Sequence, residues 1–266
     1  MTGYEPAAGQ QRLSGPSSTR TRLFVYAVMG AVLLRLGLAV LADNYDVRSY
    51  RIVGDLMLNG KNVYAHTHRY NYGPIWACVL TAVRAFQHAV GVADPWLLHL
   101  AVAAVLSAVD MALALALVRL ADVKTAVLFI LCPVSILISG LHSQFGNLAV
   151  LVGLWAWMLM RTPNDRVSGR RFFASAALFG LSLAVKHILV FFPLWLLLWR
   201  PLGNWRRRLV YVATVYGVFL FSFLPFVFSE GAIDGISRNV FGYSSFENNG
   251  IMPHVVNLLL PDAVID

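Results

Sequence analysis

Two carboxylates and a lysine stand out in a chain that is otherwise greasy. Asp43 and Asp46 follow directly on an apolar run, inside "ADNYDVRSYRIVGDLMLNGKNVYAHTHRYNYGPIW" (42–76). An acid at the start of a helix can cap its free N–H groups. Held beside a hydroxyl, it can instead accept a proton. Both roles are open for Asp46, and Asp43 also reads as a solvated loop acid. Lys186 lies in the middle of the apolar run 172–199, far from the basic loops at either end. An ammonium there is costly unless a cavity or an anion meets it. His187 adjoins it. His142 and Gln144 sit in the polar break "LHSQF" (141–145) between two further apolar runs. These side chains have the chemistry of a proton acceptor, a fixed cation and hydrogen-bonding groups.

The elements that would position them are membrane helices. Of 266 residues 58% are hydrophobic and 13% charged, and mean hydropathy is +0.66. Soluble domains carry about 25% charged residues. The apolar residues come in long Leu/Ala/Val/Phe blocks with no period of two, which excludes a barrel and points to a polytopic all-α membrane protein. The net charge of +8 does not imply nucleic acid, because the bases gather in short loops between apolar runs. Cys78 and Cys132 sit alone in apolar segments and read as packing residues. Residues 1–21 are rich in Gly, Pro, Ser and Gln and are expected to form a disordered cytoplasmic tail.

Four basic groups set the expected topology: Arg12, Arg20 and Arg22; Arg119 and Lys124; Arg161, Arg166, Arg170 and Arg171; and Arg200 with Arg206, Arg207 and Arg208. With all four cytoplasmic, neighbouring groups are separated by an even number of crossings. The runs 23–42 and 95–118 then span. The run 74–92 carries Arg84, Gln87 and His88 on one helical face and reads as a helix lying on the outer surface, with a span that buries the arginine as the alternative. The runs 125–141 and 147–160 go out and back. The run 172–199 is too short for two full spans and fits two short helices meeting near Lys186–His187. With 209–228 the count is seven spans in a module over 22–228. It carries an extracytoplasmic loop at 43–94 with two juxtamembrane helices, and an extracytoplasmic segment at 229–266 whose truncation stays open. Helix depth also pairs two intramembrane charges. Arg35 and Asp110 lie at depths differing by about 6 Å at 1.5 Å per residue, so a structural ion pair is expected.

The first loop carries Asp46, Tyr50, Gly60, Asn62, Tyr64, Tyr70, Tyr72 and Pro74 in order. This pattern resembles the first extracytoplasmic loop of GT-C glycosyltransferases of the bacterial mannosyltransferase-like kind. Three further blocks resemble segments of that superfamily: "ISGLHSQFGNLAVLVGLWAW", "GLSLAVKHILVFFPLWLLL" and "VFGYSSFENNGI". The chain departs at Val63 and Gly73, where those relatives have prolines, and at Gly146, where they often carry an acid. Together the blocks cover most of residues 24–250.

The resemblance implies an integral membrane hexosyltransferase of the cell envelope. It would take mannose or glucose from a polyprenyl-phosphate carrier and pass it, with inversion, to a glycan, lipid or protein acceptor outside the cytoplasm. In that reading Asp46, or Asp43, is the base. Lys186 meets the donor phosphate, aided by His187 and Arg48, although Arg48 reads equally well as part of a solvated helix face. His142, Gln144, Tyr50 and Tyr72 are substrate-binding. No cofactor is required by the sequence, and a Mg or Mn ion shared by Asp43 and Asp46 stays open. The rival class is a transporter or lipid-linked sugar flippase subunit, which also uses broken helices with charged junctions but shows internal repeats that this chain lacks.

Overall fold

The computed structural model describes residues 18–41, 44–92, 94–161 and 168–242. Asp43 and the block at 243–250 lie outside them. The described residues are helical, without strands. The first long helix, α1, runs Ser18–Leu41. The first loop follows with α2 (Tyr45–Leu58), the single turn α3 (Val63–His66) and α4 (Pro74–Ala89). Then come α5 (Pro95–Leu120), α6 (Val123–Ile130), α7 (Pro133–Ile136, prolonged by a π-helical turn at Leu137–Leu141) and α8 (Gly146–Met160). The last described elements are α9 (Gly169–Val185), α10 (Phe192–Trp195), α11 (Trp205–Phe221) and α12 (Ala232–Ile236), which a π-helical turn at Ser237–Phe241 prolongs.

Among the described residues two helices are long and apolar enough to cross a membrane, Thr21–Leu41 and Pro95–Leu120. Two bent pairs qualify if each is one span. Val123–Ile130 and Pro133–Leu141 meet at 52°, and Gly169–Val185 and His187–Trp195 meet at 119°. That gives two to four candidate spans where the basic loops led to an expectation of seven. The shortfall has a physical source. Gly146–Met160 is apolar but short, and α11 gives way after Phe221 to a string of turns. The first bend lies at Pro133, which has no N–H to continue the α6 ladder. The second lies at Lys186, whose extended backbone ends α9.

The first loop begins differently from either reading of Asp46 as a cap. Asn44 is the cap: its Oδ1 accepts from Val47 N at 2.9 Å, while its Nδ2 donates to Leu141 O. Asp46 stands in the first turn with its carboxylate turned to another use. Gly60, at φ 67°, closes α2 in the left-handed conformation that glycine takes at low cost. Val63 occupies the first position of α3, where proline is tolerated but not needed.

α2 packs on α4. Gly54 makes this possible, since a Cβ there would overlap the Arg84 side chain. The polar side of α4 consequently faces inward. Arg84 and Gln87 are buried, and Arg84 Nη2 lies 2.6 Å from Asp55 Oδ1. Gln87 accepts from Arg84 and donates to Asp94 O at 2.9 Å. Of the three polar residues that marked this helix, His88 alone is largely exposed.

A second polar knot joins α1, α5, α7 and α8. Arg35 and Asp110 have no exposed surface, and Arg35 Nε lies 3.0 Å from Asp110 Oδ2. Arg35 also donates to Ala31 O, Ile130 O and Ser135 Oγ. Asp110 accepts from Ser139 Oγ and Asn147 Nδ2, both at 2.7 Å. Removing one partner of a buried, hydrogen-bonded pair costs about 3–5 kcal/mol. Arg35→Met and Asp110→Leu should each lower the thermal unfolding midpoint in detergent, and the double variant should lose less than the sum of the two. Strictly additive losses would show that the residues do not act as a pair.

Candidate active site

Three segments far apart in sequence meet at one hydrogen-bonded chain. Asp46 Oδ2 accepts from Gln144 Nε2 at 2.6 Å, and Gln144 Oε1 accepts from Lys186 Nζ at 2.9 Å. The amide orientation follows from its neighbours, because a carboxylate can only accept and an ammonium can only donate. The ammonium also lies over two ring faces, 5.1 Å from the Tyr72 centroid and 4.9 Å from that of Phe145. Such rings attract a cation through their quadrupoles.

Each residue is held from below. Asp46 and Tyr50 are four apart on α2 and share a face. Tyr50 is buried, and its hydroxyl donates to Ser143 O at 3.1 Å. Burial, then the nearby Tyr72 and Asp46, push its phenol well above the ordinary range, so it stays a donor. Ser143 has φ 55°, a left-handed conformation uncommon outside glycine, in the turn that presents Gln144. Phe145 stacks on Trp76 at 4.1 Å and meets Tyr72 edge-on at 4.6 Å. Tyr70 fixes the entry to α4: its hydroxyl donates to Gly73 O and accepts from Ala77 N.

Gly73, one of the departures from the proline pattern, has a direct reason. A Cβ at this position would overlap the Ala184 carbonyl, two residues before Lys186. The aromatic loop therefore lies against the broken end of α9. Lys186 also sits at that helix's C-terminus, where the exposed carbonyls favour a cation.

Of the side chains singled out from the sequence, Asp46, Tyr50, Tyr72, Gln144 and Lys186 come together. His187 follows Lys186 in a short 3₁₀ turn, and its Nδ1 is buried with no hydrogen-bond partner among the described residues. Ser143 Oγ, beside Gln144, is in the same state. Buried polar atoms are nearly always satisfied, and these two flank the hydrogen-bonded chain. His142 is exposed at the rim of the turn. Arg48 is elsewhere: two residues on from Asp46, it lines a cleft of about 400 Å³ between α2 and the start of α5, with Arg51, Ile52 and Leu98. No three His, Cys, Asp or Glu cluster among the described residues. Sequence reasoning missed Asn44 and Ser143 and gave Tyr70 only as part of the loop's motif, yet all three hold the site together. Ser143 gave no signal, whereas Asn44 is a common cap type just before a helical pattern.

A helical membrane protein with an acid, an amide and a lysine joined in this way suits the transfer of a group that leaves as an anion. The sequence model of glycosyltransferase family 87 matches residues 70–244. The chain belongs to that family and is a membrane glycosyltransferase. No curated protein and no solved structure matches it. The matched region holds Tyr72, Gln144 and Lys186, while Asp46 and Tyr50 lie upstream of it.

Gln144→Leu keeps the side chain's bulk and removes both hydrogen bonds. With Asp46 and Lys186 no longer held in register, glycosyl transfer should fall by about a hundredfold, the scale of a small misplacement of reacting groups. The fold should survive, as judged by an unchanged unfolding midpoint. Unaltered transfer would show that the bridge is incidental.

Proposed function

We propose that this glycosyltransferase takes a hexose, mannose or glucose, from a polyprenyl-phosphate carrier and passes it with inversion to an acceptor hydroxyl on the extracytoplasmic face. The acceptor is a glycan, a lipid or a protein. The observation that carries the reading is the Asp46–Gln144–Lys186 chain, with an acid in the first turn of α2 at one end and a cation at the break of an apolar helix at the other. In the proposed topology the N-terminus is cytoplasmic and the chain crosses seven times, the shorter and bent helices included. The basic loops support it.

A lipid-linked donor has its tail in the bilayer and its phosphate and sugar at the surface. The acceptor hydroxyl gives its proton to Asp46 as its oxygen bonds to the anomeric carbon. The bond from that carbon to the phosphate oxygen breaks, and the electron pair leaves with the polyprenyl phosphate. Lys186 meets the charge on that phosphate, and His187 supplies a hydrogen-bonding ring nitrogen. Tyr50 and Tyr72 frame the sugar, and His142 stands where the acceptor enters. A Mg or Mn ion at Asp46 would draw its other ligands from Asp43, the donor phosphate and water. The proton transfer and bond exchange above do not require it.

The test uses purified protein with labelled polyprenyl-phosphate mannose and polyprenyl-phosphate glucose, with and without EDTA. Asp46→Asn should stay folded and lose transfer by about 10²–10⁴, the usual scale of general-base catalysis. Asp43→Asn should lose much less, and the reverse order would make Asp43 the base. Lys186→Met, which keeps length and removes charge, should weaken donor binding. Full activity in both aspartate variants, or normal donor affinity in Lys186→Met, would overturn the assignment.

A further inference from the structure

A second, polar cleft lies between the first loop and α12. It measures about 260 Å³ and is lined by His66, Thr67, His68, Arg238 and Asn239, with Tyr64 as its inner wall. Its two sides are separated by some 170 residues of chain, yet they are fastened at three points. Gly235 packs so closely on Tyr64 that a Cβ would overlap the Tyr64 carbonyl oxygen. Asn62 Nδ2 donates to Phe226 O at 2.6 Å. Asn239 Nδ2 reaches Thr67 O at 3.4 Å. The Tyr64 ring is further wedged against Phe223 and Phe226, with centroids at 5.6 and 5.2 Å. A cleft built this firmly is preformed, which lowers the cost of ordering it around a ligand.

Its chemistry is that of a hydrated, negatively charged guest. Arg238 is exposed and brings a fixed positive charge with a planar fork of donors that suits a carboxylate or a phosphate. His66 Nδ1 lies 2.9 Å from Asn62 O. Because a carbonyl can only accept, Nδ1 donates to it. The Asn239 amide and the His68 ring add further hydrogen-bonding groups. The cleft also communicates with the reacting groups. Its wall, Tyr64, donates to Tyr72 O at 2.9 Å, and the Tyr72 ring lies beneath the Lys186 ammonium.

We propose that this cleft holds the saccharide end of the acceptor, and that this saccharide carries an anionic group, a carboxylate or a phosphate. The word acceptor rests on the transfer reading above, while binding by the cleft does not. Positioned here, the guest lies against Tyr64, which is joined through Tyr72 to the Lys186 end of the reacting site.

The test is an NMR titration of the full chain in detergent with four probes: glucuronic acid, a mannose monophosphate, methyl mannoside and inorganic phosphate. The two anionic sugars should bind more tightly than methyl mannoside and phosphate. Arg238→Gln, at an exposed position, should weaken them by about tenfold or more, the loss of one charge-assisted hydrogen bond. Asn239→Ala should weaken them less, and Lys186→Met should leave them unchanged. Unaltered binding in Arg238→Gln overturns the proposal. Loss of binding in Lys186→Met also overturns it, since the anions would then be reading the reacting site. Phosphate binding as tightly as the sugar phosphate refutes a saccharide site. If the aspartate and lysine variants keep full transfer while the Arg238 effect stands, the mechanism above fails and the cleft remains a saccharide site.

Discussion

A guanidinium cannot remain charged in an apolar interior without partners, and Arg35 is given a full set. Two backbone carbonyls and two side chains meet it: Ala31 O, Ile130 O, Ser135 and Asp110, with Gly140 packed against its main chain. Asp110 in turn holds Ser139 and Asn147, which bracket the turn that displays Gln144. The placement of Gln144 is therefore decided many residues away, in α1 and α5. Buried charges exact a desolvation penalty that only complete pairing offsets. That demand is what fixes the π-helical turn in one arrangement.

The aromatic loop is the complementary constraint from the other side. Tyr50, Tyr72, Trp76 and Phe145 form one set of ring contacts, and Gly73 brings that set onto the end of α9. Packed rings have few alternative arrangements. The lysine is thus approached by a rigid surface rather than a floppy loop. Two independent devices, a polar knot and an aromatic plate, converge on the same pair of side chains.

Much of this was legible in the sequence, for reasons that differ by residue. Counting residues inward from the basic loops was enough to bring Arg35 and Asp110 to similar depths, because helix rise is constant. The break at Lys186 was legible because 28 residues cannot cross twice as straight helices. The partners of the pair were not legible: Ser139 and Asn147 are unremarkable types whose role depends on a bend at Pro133 that spacing does not measure. Asp46 was read as a possible cap, yet Asn44 takes that role, since either acid or amide caps equally well. The inward turn of Arg84 was hidden by Gly54, a small residue whose importance shows only once two backbones approach. Arg48, which the resemblance set beside Lys186 and which also read as part of a solvated face, lines a separate cleft with Arg51. The number of crossings rested on charge parity, which counts sides and not helix lengths.

Gln144 has one more consequence. A carboxylate and an ammonium in direct contact at a half-dry site can annihilate each other by exchanging a single proton, leaving two neutral groups with nothing to offer a reactant. A carboxamide between them carries orientation but will not carry the proton. It behaves as an insulator in a circuit, holding the two poles a fixed distance apart until something with its own charges arrives to bridge them.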